Sequence, residues 1–257
     1  MKVELLSYTP NADKLLIFSK KTRLNMSPDS FQEVLNSSDE KVCEELEYVF
    51  GTIGSSWEFV DYTFLVSGVG RGYTHEQVRT RQASYAQQSM RAVSMEGFDF
   101  VSSGKCKKDA RESEVHNPVS EFYDYAMNCI DGFYRHLIAL GAEIQDARGV
   151  LPTNICTNIM VKINLRSLSN LMNDRLCFRA SGEYQEVAKE MKRIVLAVHP
   201  WAKPVLQVNC VQYGFCKFKN FKDCPMKTKG FIKDCDSEML EKEWSKIDLV
   251  VQPKVKK

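Results

Sequence analysis

Arg79, Arg81 and Arg91 fall within a stretch, Gln77 to Met95, that contains no aspartate or glutamate. The chain as a whole has 35 Lys and Arg against 33 Asp and Glu, a formal net charge of +2, so this local imbalance does not follow from composition. A guanidinium presents a planar fork of donors that matches phosphate oxygens, and Ser84 and Ser89 add hydroxyl donors beside it. These residue types are those that hold a phosphate, although a solvated basic face would use the same ones. The missing acids favour an anionic ligand. A second acid-free window runs from Gly149 to Asn173, with Arg148 and Arg175 flanking it and Asn158, Asn164, Arg166 and Asn170 inside it. Asparagines in an apolar strand–helix unit need partners when buried, from a core network or from a ligand. Two arginine-flanked, acid-poor windows point to more than one anionic ligand.

The elements that must position these residues can be read from periodicity. "KVELLSYT" reads as a first strand. Val42, Leu46, Val49 and Phe50 fall on one helical face with Ser38 as N-cap. Glu58 to about Ser67 alternates like a strand, after which Gly68, Gly70 and Gly72 interrupt the chain and Thr74 caps a short helix, "HEQVR". The clearest helix begins at Asn117 as cap and Pro118. Its apolar stripe is Val119, Phe122, Ala126, Cys129, Phe133, Leu137 and Leu140, and Gly141 ends it. "EIQDARGV" is a shorter helix, "NIMVKINL" a strand, and "SLSNLMNDRLCFRA" a helix. "GEYQEVAKEMKRIVLAVHP" is amphipathic through Tyr184, Val187, Met191, Ile194 and Val198. From about Gln207 the chain is rich in lysine and cysteine without a period. The expected class is α+β, with a catalytic domain over residues 1–206 and a C-terminal tail, 207–257, packed on it.

Several chemistries find no support. "GVGRG" is not a dinucleotide fingerprint leading into a long helix, and no serine sits in a GxSxG elbow. His75, His116, His136 and His199 lack metal-ligand spacing, with His136 expected on the surface or rim of the long helix. Cys210, Cys216, Cys224 and Cys235 contain no CxxC pair, so spacing along the chain argues against zinc. Nine cysteines in irregular positions suit reduced thiols in a cytoplasm. No signal peptide or membrane span is expected, and the near-neutral charge gives no sign of a nucleic-acid polymer as partner.

"RTRQASYAQQSMRA" resembles the signature RHRxxSxNxxSxRY of the flavin-dependent thymidylate synthases. "SGVGRGYTHEQV" resembles that family's lead-in. "DARGVLP" and "NLRSLSNLMNDRLCFRASGEYQEVA" resemble its "ARxVLP" and "NLRSLxxFLxLRxxxxAQxEI" segments, in order and spacing. "NCVQYGFCKF" is similar to a cysteine-containing ending of some members. The resemblance runs from about Ser55 to Met191. It implies a mostly antiparallel sheet flanked by long helices, and a homotetramer binding FAD at subunit interfaces. It further implies methylation of dUMP to dTMP with methylenetetrahydrofolate and NADPH.

By motif position, Ser55, Arg79, Thr80, Arg81, Asn164 and Asn170 would contact FAD. Glu76, Gln87, Ser89, Arg91, Arg148 and Arg175 would hold dUMP, with Arg175 and Ser89 acting in catalysis and no metal required. Arg175 would stabilise negative charge on the uracil as C5 becomes nucleophilic. The sequence departs from the pattern at Thr80 (for His), Ala86 (for Asn), Ala92 (for Tyr) and Glu76 (for Gln). It departs again at Ile53 and Arg179, where histidines are usual, and at Ser181 (for Gln). The arginines for phosphate are kept where the histidines around flavin are not. Altered chemistry, such as hydroxymethylation of dUMP or action on dCMP, and a non-catalytic nucleotide-binding homologue are the alternative functions.

Overall fold

The computed structural model describes residues 1–52, 54–102, 106, 118–180, 182–218, 222–231 and 233–234. Ile53, Asn117 with its expected cap, Ser181 and Cys235 lie outside the described residues.

The chain opens with β1 (Lys2–Tyr8), then the helices α1 (Ala12–Ser19), α2 (Pro28–Leu35) and α3 (Asp39–Phe50). Ser38 caps α3 as expected, its side chain accepting from the Lys41 N–H, and Val42, Leu46 and Val49 are buried. β2 (Asp61–Gly70) leads directly into α4 (Arg71–Gln77), and β3 (Ala83–Gln87) follows. The long helix α5 (Pro118–Ala139), the short α6 (Ile144–Ala147) and a 3-10 turn, Arg148–Val150, precede β4 (Cys156–Asn164). The helices α7 (Leu165–Arg175) and α8 (Gly182–Val198) complete the main body.

The four strands form one sheet in the order β1-β2-β4-β3, every pairing antiparallel. Alternation gives it two unlike faces. Tyr62, Phe64 and Val66 of β2 and Ile159, Val161 and Ile163 of β4 point into the core. There they meet Leu165, Leu168 and Met172 of α7 and Tyr184, Val187, Met191 and Val195 of α8 in one apolar cluster. On the opposite face Ser84, Ala86, Asn158, Met160 and Lys162 are exposed. His199 belongs to the core side, its Nδ1 hydrogen-bonded to the Tyr62 hydroxyl at 2.9 Å, and burial holds its pKa below the ordinary value.

The bounds of β2 and the cap of α4 differ from those expected. Glu58 and Phe59 are wound into a 3-10 helix, Gly54–Phe59, so β2 begins later than expected. It also continues through the glycines, because Gly68 takes up a positive φ of 64° where the register shifts between Val66 and Val69. Thr74 does not cap α4. It lies inside the helix, its hydroxyl donating to the Arg71 carbonyl at 3.0 Å, and Gly70 stands at the cap. The apolar stripe of α5 faces away from the chain's own core. Ser120, Met127 and Tyr134 are buried, whereas Phe122, Phe133 and Leu140 remain 70%, 65% and 72% exposed. His136, on the same helix, is exposed as expected.

Beyond residue 206 the chain forms α9 (Asn209–Tyr213), β5 (Phe215–Cys216), α10 (Pro225–Thr228) and β6 (Lys233–Asp234), with β5 and β6 paired in parallel. Among the described residues no helix is long and apolar enough to cross a membrane.

Candidate functional site

The site is built from the segment where β2 becomes α4. At the junction the Gly70 N–H donates to Glu183 Oε1 at 2.8 Å, and a Cβ on Gly70 would stand 3.2 Å from Glu183 Oε2. Burial raises the Glu183 carboxyl, and the Gly70 N–H partly offsets that shift. The Arg71 and Gly72 amides donate to the Ile155 and Thr153 carbonyls at 3.1 and 2.7 Å. The start of α4 is therefore fastened both to α8 and to the chain entering β4.

This fastening fixes Arg71 in an unusual position. Its Nη1 is buried and has no hydrogen-bond partner. Burial first, and then the neighbouring charge of Arg148, lowers its pKa. Arg148 sits in the 3-10 turn after α6 and donates from Nε to the Gln145 carbonyl at 3.1 Å. Arg91 reaches the side chain of the same glutamine, Nη2 to Oε1 at 3.5 Å, while the Gln145 amide donates to Glu143. Ser89 turns the chain toward Arg91, its Oγ accepting from the Arg91 N–H at 3.2 Å. Two arginines thus meet at one glutamine, Arg71 feels the charge of one of them, and none of the three makes an ion pair with an acid among the described residues. A buried guanidinium nitrogen without a partner is costly, and a phosphate oxygen is the partner its geometry suits.

Arg71 is not among the residues expected from the sequence, where Gly68, Gly70 and Gly72 around it read as an interruption of the chain. The sequence carries no signal for it, because the helix expected from His75 onward leaves Arg71 outside, whereas α4 begins at Arg71.

A second cluster involves Glu76 and Arg175, expected from the sequence at the substrate. They pair directly, Nη1 to Oε2 at 3.1 Å, and the Arg175 guanidinium lies 4.3 Å from the centre of the Tyr184 ring. Tyr184 is buried, which pushes its hydroxyl up to about 12. The Gln87 amide, at the end of β3, donates to the Thr74 hydroxyl at 3.0 Å. Among the described residues no hydrogen bond joins this cluster to the one around Gln145.

The residues expected at flavin are arranged otherwise. Arg79 and Arg81 are exposed in the turn between α4 and β3, Ser55 is exposed in the 3-10 helix, and Asn170 is exposed on α7. The carbonyl of Thr80 accepts from the Tyr85 hydroxyl at 2.8 Å. Asn164 caps α7, its Oδ1 accepting from the Ser167 N–H at 2.8 Å, which leaves its amide NH2 as donor. Arg166 is paired with Glu58 at 2.6 Å.

The family model described as "Thymidylate synthase complementing protein" matches residues 4–201. The chain is 34% identical over 211 residues to the flavin-dependent thymidylate synthase of Clostridium tetani, covering 78% of this chain and 84% of the relative. It is 33% identical over 205 residues to that of Geobacter sulfurreducens, with the same coverage. For the Sulfurisphaera tokodaii enzyme of the same name the identity is 32% over 214 residues, covering 82% and 79%.

Proposed function

The chain belongs to the thymidylate synthase complementing protein family, and from that premise we propose that it methylates dUMP at C5 with methylenetetrahydrofolate and NADPH, using FAD. The observation that carries the reading is the buried, unpartnered Nη1 of Arg71 beside Arg148, with Arg91 tied in through Gln145. Arg71, Arg91 and Arg148 hold the 5′-phosphate, and the Ser89 hydroxyl, already an acceptor for the Arg91 N–H, has its proton to donate to the same group. Arg175 and Glu76 take the base and sugar end, together with Gln87 at the end of β3. The Arg175 charge stabilises the uracil carbonyls as electron density builds on the ring, an interaction stronger in the transition state than in the ground state. Glu76 holds that guanidinium in place, and as a carboxylate it accepts hydrogen bonds without donating them.

The chain's residues fit a flavin. Arg79 and Arg81 are exposed cations without an ion pair among the described residues, suited to a pyrophosphate. The Asn164 NH2, Asn170 and Ser55 supply neutral donors, and Thr80 stands between the two arginines in the chain. A bound flavin supplies the redox chemistry. The exposed stripe on α5, with Phe122 and Tyr125 in contact, supports assembly into a homotetramer whose subunits cover one another's apolar faces. Sedimentation velocity at micromolar concentration with ligands present tests the assembly, and a persistent monomer contradicts it.

The test of the reaction is single turnover. Protein loaded with FAD and reduced by NADPH should reoxidise its flavin on addition of dUMP and methylenetetrahydrofolate, with dTMP as the product. Flavin that does not bind, or a product other than dTMP, overturns the reading.

A further inference from the structure

The C-terminal segment poses its own folding question. The helices α9 and α10 have five and four residues, and β5 and β6 have two each. Helices that short do not persist without tertiary support, and loop-built segments commonly depend on a staple. What these pieces share is sulfur. Cys210 in α9, Cys216 in β5 and Cys224 before α10 border one cavity of about 290 Å³, and Cys177, just beyond α7, borders it from the main body. Eight free cysteines are described, and four of them meet here. All four are half-buried, and Cys210 has Cys216, Cys177 and Cys224 as electrostatic neighbours. Cys216 Sγ accepts from the Phe218 N–H at 3.4 Å, a backbone bond of the kind that shields sulfur charge at thiolate–metal centres. Arg179, Lys189 and Lys217 line the same cavity, and their positive charge would offset a cluster of thiolates.

We propose that Cys177, Cys210, Cys216 and Cys224 form a structural site for a thiophilic divalent ion of the zinc type, tying the C-terminal segment to α7. Spacing along the chain gives no signal for such a site, because Cys210, Cys216 and Cys224 form no CxxC pair and the fourth ligand comes from before α8. Among the described residues no group of three or more His, Cys, Asp or Glu side chains is arranged to hold an ion. Closing the site requires the four side chains bordering the cavity to turn toward one another, each thiol releasing its proton to solvent as it coordinates. The role is structural: four protein ligands leave no open position for chemistry.

The test uses the full-length protein under reducing conditions, incubated with Zn²⁺ and desalted. Elemental analysis should find about one zinc per chain. Co²⁺ in its place should produce sulfur-to-metal charge-transfer absorption with tetrahedral d–d bands. Cys210→Ser and Cys216→Ser should each lower Zn²⁺ affinity about a hundredfold, whereas Cys43→Ser, at an exposed position on α3, should leave it unchanged. Because a serine variant can fail to fold, the Co²⁺ spectrum of the unaltered protein is the deciding readout. Background zinc with no charge-transfer band overturns the site. So does a paired loss of free thiols that Zn²⁺ does not prevent, which would make the cluster a disulfide. Neither result bears on nucleotide or flavin binding, so this inference and the proposed function fail separately.

Discussion

Arg71 is braced by burial of its Nη1, and Arg91 and Arg148, though exposed, are held through Gln145, whereas Arg79 and Arg81 stand in solvent with no such partner among the described residues. The braced set keeps every arginine that the family pattern assigns there. The solvent set flanks Thr80, where the family pattern has a histidine. In the braced set, like charges are held together at a cost that an anion would relieve. In the solvent set the side chains lose conformational freedom only when a ligand, or a second subunit, orders them. The difference bears on what each position tolerates. An exposed residue can change without stranding a neighbour, and Arg71 cannot.

Arg175 lies outside both sets, and its removal should have the largest effect. Arg175→Ala should lower kcat about a hundredfold, the typical loss for one preorganised charge-stabilising donor, while dUMP affinity changes by less than about twofold. Single-turnover flavin reoxidation beside calorimetry separates the two quantities. A fall in affinity with kcat intact would move Arg175 into the phosphate-binding set.

Arg71→Met comes next and tests the bracing itself. Removing the guanidinium should raise the dUMP dissociation constant roughly ten- to a hundredfold, the worth of a charge-assisted contact. The same change should raise the thermal midpoint of the ligand-free protein, because it removes an unpartnered buried nitrogen and its repulsion with Arg148. Thermal melts with and without dUMP read both. A lower midpoint together with unchanged binding would make Arg71 an ordinary part of the packing.

The smallest effect belongs to the solvent-facing set. Thr80→His restores one donor of the family pattern, worth about 1 kcal/mol, and should tighten FAD about fivefold in a fluorescence titration. No change would mean that Thr80 does not contact the flavin.

Much of this was legible in the sequence, and the failures have a common cause. β1, α3, β4, α7 and α8 followed from periodicity because each buries one face inside its own chain, as Val42, Leu46 and Val49 do. The stripe on α5 was equally regular, but it faces outward, and period alone does not say which surface a face meets. The glycines after Ser67 looked like a break because Gly68 carries a bulge within the strand rather than an end to it. The edge strand β3 was hidden because its outward residues are Ser84 and Ala86, which give alternation little contrast. In the candidate site, Arg91, Arg148, Glu76 and Arg175 were found through their motifs. Arg71 was not, because its meaning lies in what its nitrogen lacks, which only three dimensions reveal.

The central claim is that the braced arginines bind the phosphate of a pyrimidine deoxynucleotide, and calorimetry with dUMP on the wild-type protein and Arg91→Ala tests it most directly. Arg91 is exposed, so its loss should leave the fold intact and change only what the site holds. The account predicts saturable binding by the wild type and a dissociation constant roughly ten- to a hundredfold higher in the variant. Equal dUMP affinity in the two proteins would contradict it.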